Sequence, residues 1–294
     1  MCLSYAAGFV MENAFQSFVK GLQHLKAHPV LFVPGCIHNL AAYVLSLFFT
    51  TLSVLILYYD MGYIILSAVS LFFIILLAFF SAFTTAGAIG MSKEVMTSGC
   101  TDLYHMLSYG KKYTLKLVIV SVLVTLLRSF SAIFWKPALE LFVGSEYTTS
   151  DIASTLQSDP LSLLPLLQML AIPSLIALLL TIIYFLLLSF LFYLISYIIV
   201  VDDLSVYKSY RQSFSYLTRR PVRIITFVLM AQVVGFIPNI LAGLLILGLP
   251  MSRYLPFFIV LANMVFSILF MSVMSVWVTR FYMILEKKDI SANI

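Results

Sequence analysis

Apolar residues run along this chain in long unbroken blocks, and polar positions gather in short stretches between them. The block from Tyr63 to Met91 contains no Asp, Glu, Lys or Arg. At about 1.5 Å rise per residue, a helix of that length crosses a hydrocarbon layer of roughly 30 Å. Blocks of this kind predict six membrane spans, near Val30–Tyr58, Tyr63–Met91, Tyr113–Trp135, Leu163–Val200, Val222–Leu249 and Tyr254–Leu285. The fourth is longer than one straight crossing needs. Pro160, Pro165 and Pro173 are expected to break its start into a short interfacial piece, because proline removes a helix donor and clashes with the preceding turn. Pro34 and Pro238 are expected to kink the first and fifth spans.

Three less apolar stretches separate the blocks, each with helical spacing of its apolar residues. In the first, Phe15, Phe18, Val19, Leu22 and Leu25 recur around Lys20, Gln23 and Lys26. The second, Ser92–Lys112, carries Val95, Leu103, Met106 and Leu107. The third, Asp202–Arg220, carries Leu204, Tyr207, Tyr210, Phe214 and Leu217. Each is expected to be an amphipathic helix lying at the membrane surface. Asp202 and Asp203 suit the start of the third helix, where carboxylates meet free N–H groups, and Arg219 and Arg220 suit its other end.

Composition narrows the class. Of 294 residues, 62% are hydrophobic and 10% charged, and the mean hydropathy is +1.07. No polar segment is long enough for a separate soluble domain, so residues 1–294 are read as one all-α integral membrane domain. A signal peptide is not expected, since Lys20 is the first basic residue and Glu12 interrupts the apolar start. The net charge of +5 points to anionic lipid on cytoplasmic loops rather than to nucleic acid.

The basic residues also orient the chain. Lys20, Lys26, Lys93, Lys111, Lys112, Lys116, Lys208, Arg211, Arg219, Arg220, Arg223, Arg280, Lys287 and Lys288 fall on one side, 14 of the 17 Lys and Arg. The loop from Lys136 to Pro160 carries Glu140, Glu146, Asp151 and Asp159. The positive-inside rule places both termini in the cytoplasm of a multi-pass cell-membrane protein. Cys2, Cys36 and Cys100 then all avoid the outside, and no disulfide is expected.

An internal repeat is suggested by the elbows. His24-Leu25-Lys26-Ala27-His28-Pro29-Val30 matches Tyr216-Leu217-Thr218-Arg219-Arg220-Pro221-Val222 in plan: a basic helix end, a proline and the start of a span. Met106-Leu107-Ser108-Tyr109-Gly110-Lys111-Lys112 has the basic elbow, with glycine as its source of flexibility. These give candidate repeat units 9–91, 92–200 and 202–285.

The stretch from Ile198 to Phe214 runs Ile-Ile-Val-Val-Asp-Asp-Leu-Ser-Val-Tyr-Lys-Ser-Tyr-Arg-Gln-Ser-Phe. It resembles the multi-span membrane domain found on some glycerophosphodiester phosphodiesterases and its stand-alone relatives. Ala14–Pro34 has a similar flavour. The resemblance implies a six-span fold with surface helices. It implies no catalytic residue here, because the phosphodiesterase chemistry belongs to a separate soluble domain.

Candidate chemistry is sparse. No Gly-x-Ser-x-Gly, His-Glu-x-x-His or phosphate-loop pattern occurs. His24 and His28 share a helix face without an evident third metal ligand. Arg128 lies some fifteen residues into the third span, where an arginine costs roughly 2.5–3.5 kcal/mol at mid-membrane. It either faces a cavity for an anionic group or snorkels to the outer interface. Arg253 leans toward an interface anchor. His38 and Asn39 in the first span, with Gln168, Gln232, Asn239 and Asn263, offer polar contacts between helices. Gly87, Gly90, Gly235, Gly243 and Gly248 allow close helix approach.

The expected function is a non-enzymatic membrane protein that binds or moves a lipid-like molecule. Arg128, His38 and Asn39 are the candidate ligand residues. Lys20, Lys26, Lys111, Lys112, Arg211, Arg219, Arg220 and Arg223 form the basic membrane surface. Membrane lipids are the expected partners, with a protein partner or a second copy as further candidates, and no cofactor or metal is expected. The competing reading is a scaffold or accessory subunit of a membrane complex. An intramembrane enzyme ranks last.

Overall fold

The computed structural model describes residues 14–59, 62–143, 164–248 and 255–286. Among these residues every regular element is helical. In chain order they are α1 (Ala14–Ala27), a 3-10 turn (Pro29–Phe32), α2 (Val33–Tyr58), α3 (Tyr63–Ser98), α4 (Leu103–Ser129), α5 (Ala132–Val143), α6 (Leu164–Phe192), α7 (Ile195–Asp202), α8 (Val206–Arg219), α9 (Pro221–Gly248) and α10 (Leu255–Leu285).

Among the described residues, five stretches are long and apolar enough to cross a membrane: Pro29–Tyr58, Tyr63–Ser98, Leu103–Pro137, Ala171–Asp202 and Val260–Leu285. Leu47, Phe48, Phe72 and Ile74 are exposed on α2 and α3, as suits helices that meet hydrocarbon rather than water. The chain is a helical, multi-pass membrane protein. The segment expected as the fifth span is a helix of 28 residues, α9.

The chain sorts into two compact units, Met1–Ser121 with Phe192–Ile294, and Val122–Leu191. In the first, α10 is the central element, packed by α1, α2, α3, α7 and α9. Every residue from Met274 to Leu285 is buried. Phe227 of α9 stacks on Phe281 with ring centres 3.8 Å apart, and meets Trp277 edge-on at 5.0 Å. Phe18 of α1 takes the other side of Trp277 at 5.0 Å. Such aromatic pairs add about 0.5–1.5 kcal/mol each beyond their buried area. In the second unit, Trp135 donates its indole N–H to Thr181 Oγ1 at 3.2 Å, and the Tyr184 hydroxyl donates to the Leu127 carbonyl at 2.5 Å.

Two helices end at the residue before a proline. His28 and Arg220, each just before a proline, adopt similar extended-side backbone angles, φ −127°, ψ 78° and φ −138°, ψ 55°. A following proline disfavours helical backbone at these positions, so α1 and α8 stop there.

The middle elbow differs from expectation. Ser92–Lys112 forms no separate surface helix. Its first half continues α3 to Ser98, and its second half begins α4. Gly99, at φ 77°, ends α3 in the left-handed conformation that glycine adopts at no steric cost. Asp102 then caps α4, its Oδ1 accepting from the His105 backbone N–H at 3.0 Å. Gly110 is no hinge either. It lies within α4, where a methyl group would come within 2.5 Å of the Phe83 ring, so its role is close approach. Gly87 and Gly90 do the same on α3 against Met106 and Tyr109.

The prolines also act differently. Pro34 sits in the first turn of α2, where its missing N–H has no helical partner to lose. Pro173 lies inside a continuous α6, a single lost bond between two intact helical stretches. Pro160 falls outside the described residues. The break in the fourth span comes later, at Tyr193–Leu194, where neither proline nor glycine stands. The short α7 that follows is buried at Ile195, Ile198, Ile199, Val200 and Val201.

Candidate functional site

The buried end of α10 is also where the basic residues collect. Lys20 and Lys26 on α1, Lys111 and Lys112 on α4, and Arg211, Arg219 and Arg220 around α8 are all exposed. Arg223 on α9 is half-buried, its guanidinium 5.6 Å from the Phe281 ring.

The faces of α1 and α8 are inverted relative to a water-facing helix. Inward, α1 buries Ala14, Ser17, Gly21, His24 and Leu25, and α8 buries Ser209 and Ser213. Gly21 permits this approach, since a Cβ there would already stand 3.3 Å from the Trp277 backbone. Outward, α1 turns Phe15, Val19 and Leu22 together with Lys20, and α8 turns Tyr207, Tyr210 and Phe214 together with Arg211. Phe15 is 61% exposed and Tyr207 76%.

Polar contacts seat both helices. The Trp277 indole donates to the Ala14 carbonyl at 3.0 Å, and Arg280 Nη1 lies 2.9 Å from His24 Nε2. The guanidinium has only donors, so this histidine nitrogen accepts. Gln212 of α8 points its amide N–H groups at four acceptors: the Tyr216 hydroxyl at 2.7 Å, the Tyr282 hydroxyl at 3.1 Å, and Asp202 Oδ2 and Glu286 Oε1 at 3.3 Å. The Tyr282 hydroxyl donates to Asp202. Arg220 Nη1 donates to the Leu285 carbonyl at 3.3 Å, closing the end of α10.

Asp202 and Asp203 therefore do not cap α8. Ser205 occupies the cap position, with no side-chain cap bond. Asp203 takes a left-handed backbone, φ 55°, and reaches α4 instead. Its Oδ2 lies 2.6 Å from Lys112 Nζ and its Oδ1 3.3 Å from Lys116 Nζ. The Lys112 ammonium holds the Asp203 carboxyl below the usual carboxylate range. The carboxylate thus meets two full positive charges instead of the helix N–H groups.

The residues singled out for ligand binding make other contacts. Arg128, in the second unit, sits exposed in the last turn of α4 with its guanidinium 6.0 Å from the Phe185 ring. His38 Nδ1 lies 3.0 Å from Thr84 Oγ1, joining α2 to α3. Asn39 donates to the Gly35 carbonyl of its own helix at 2.9 Å. Asn263 is exposed on α10. Gln168, Asn239 and Arg253 lie outside the residues whose side chains are described, as do Glu140, Glu146, Asp151 and Asp159. His28 is half-buried at the elbow. Among the described residues no group of three or more His, Cys, Asp or Glu converges as a metal site.

Residues 13–285 match a domain of unknown function, DUF7847. The chain belongs to that family. No curated protein and no solved structure matches it. The DUF7847 domain thus covers all the helices described, and both the basic end and the seats of α1 and α8 lie inside it.

Gln212, Tyr282, Lys116 and Asp203 were not visible as a group in the sequence. The one signal was the acidic pair at 202–203, and its partners Tyr282, Lys116 and Lys112 stand 80, 87 and 91 positions away.

Proposed function

We propose that this chain is a non-enzymatic, six-span membrane protein whose basic end binds or moves an amphipathic molecule, an anionic phospholipid. The observation that carries the reading is the inverted amphipathicity of α1 and α8. Each buries a stripe of small residues against the bundle and presents aromatic and aliphatic side chains beside Lys or Arg outward. Facing water, that outward surface would be costly; at the headgroup boundary its apolar part enters the acyl region and its cations meet anionic lipid.

The two helices share a register, which supports a repeated unit. Ser17, Gly21 and Pro29 correspond in order and spacing to Ser209, Ser213 and Pro221. In this reading α1 and α8 are interfacial helices, each followed by a two-span hairpin (α2–α3 and α9–α10). The middle unit enters the membrane directly from the Gly99–Asp102 turn. The basic end is cytoplasmic by the positive-inside rule, which puts both termini there. The plan agrees with the resemblance to phosphodiesterase-linked membrane domains.

The test is native mass spectrometry of the full-length protein released from nanodiscs of phosphatidylglycerol and phosphatidylcholine. The reading expects phosphatidylglycerol to be retained preferentially, and less of it when Lys20, Lys26, Arg211 and Arg219 are all replaced by Gln. Equal retention of both lipids would overturn it. A stoichiometric protein partner from native membranes, without bound lipid, would make the chain an accessory subunit instead.

A further inference from the structure

The structure assigns a specific headgroup position for that lipid. We infer that the lysine cluster at the start of α4 binds the phosphate of an anionic phospholipid, which takes the place of the Asp203 carboxylate. The inference rests on the lipid-binding reading above and narrows it to one site.

Lys112 and Lys116 lie one helical turn apart and converge on Asp203, at 2.6 and 3.3 Å. Lys116 Nζ also donates to the Leu204 carbonyl at 3.3 Å. Both ammonium groups stand over the Tyr113 ring, 5.0 and 5.3 Å from its centre. Tyr113 stacks with Tyr109 at 5.9 Å, and Lys93 stands 5.7 Å from the Tyr109 ring. The aromatic pair thus forms a floor under three cations.

Two carboxylates bond to this cluster. Glu94 is held by the Tyr109 hydroxyl at 2.5 Å. Asp203 is half-exposed, on a two-helix corner, and its two oxygens bridge the two ammonium groups. A phosphate diester carries the same charge sign and bridging oxygens, so it can replace this carboxylate without leaving either lysine uncompensated. The apolar requirement is met on the same helix. Leu115 and Ile119 follow Lys111 at successive i+4 positions, and both are exposed, a track for an acyl chain running from the headgroup position into the apolar span.

A purely structural clamp would show the same lysine–aspartate distances. The two roles differ in sign for Asp203→Asn, which keeps the size of the side chain and its tolerance of left-handed backbone while removing the competing charge. The experiment uses the full-length protein in phosphatidylglycerol–phosphatidylcholine nanodiscs, with retained lipid counted by native mass spectrometry and folding checked by circular dichroism. D203N is expected to raise phosphatidylglycerol retention, and K112Q/K116Q to lower it by about fivefold or more, as expected of two cations near a lipid phosphate. Unchanged or lower retention in D203N overturns the exchange. A wild-type preference for phosphatidylglycerol that survives in K112Q/K116Q overturns the site but leaves the lipid reading standing. No wild-type preference at all sinks the lipid reading itself. Release of the lipid by inorganic phosphate at equimolar level would make the site one for free phosphate and overturn the commitment to lipid.

Discussion

The indole N–H of Trp277, on α10, donates to the main-chain carbonyl of Ala14, 263 positions earlier, at 3.0 Å in a buried setting. It pins the first turn of α1 to the most buried stretch of the bundle. Trp277→Phe keeps an aromatic ring against Phe18 and Phe227 but removes the donor. Losing one such intramolecular hydrogen bond costs about 0.5–1.5 kcal/mol. The expected result is a lower melting temperature in detergent, with faster amide exchange over α1. Unchanged exchange there would show that α1 is held by other contacts alone.

Three glycines set the distance between α3 and α4. At Gly110 an added methyl group meets the Phe83 ring at 2.5 Å, at Gly87 it meets Met106 Cγ at 2.6 Å, and at Gly90 it meets the Tyr109 ring. Gly110→Ala and Gly90→Ala are each expected to destabilise by roughly 1–3 kcal/mol through overpacking. Gly62→Ala meets no neighbour within 4 Å, but its φ of 89° costs an L-residue about 1–2 kcal/mol. Thermal melts of the three variants should show losses in all, and only the first two should disturb the Tyr109–Glu94 contact.

Asp203 makes the α7–α8 corner acid-sensitive. Its carboxyl is held below the usual range, first by the Lys112 hydrogen bond. A group whose folded pKa is depressed contributes stability above its unfolded value, about 3.9, and that stability is lost as pH falls through the lower folded value. Wild type should therefore lose its advantage over D203N as the pH falls below about 4. Melting temperatures of both proteins from neutral to acid pH measure this. A constant difference would remove Asp203 from the acid response.

Arg128 is exposed in this structure. It occupies the last turn of α4, where a cation suits the terminal carbonyls, and it lies against Phe185. Arg128→Ala is expected to cost less than about 1 kcal/mol and to leave phosphatidylglycerol retention unchanged. A marked loss of retained lipid would return Arg128 to the ligand site.

Orientation is testable through Cys100, exposed in the turn between α3 and α4. In a variant keeping Cys100 as its single cysteine, a membrane-impermeant maleimide should label it in lysed but not in intact cells. A cysteine placed at Glu146 should show the opposite. Labelling of Cys100 in intact cells would invert the topology.

The sequence by itself determined the class. A block such as Tyr63–Met91 has no charge to set against the cost of crossing hydrocarbon, and only a helix satisfies every backbone group there. It also determined the elbows at Pro29 and Pro221, because proline constrains the residue before it whatever the surroundings. It did not decide which way α1 and α8 face. Ser17, Gly21, Ser209 and Ser213 carry little hydropathy signal, and their burial follows from how closely neighbouring backbones approach, as that of Trp277 does Gly21. Nor did it decide the partners of Asp202 and Asp203. Local capping and distant cations offer a carboxylate comparable local geometry. Only the folded chain, by bringing Lys112, Lys116 and Tyr282 within reach, selects these contacts.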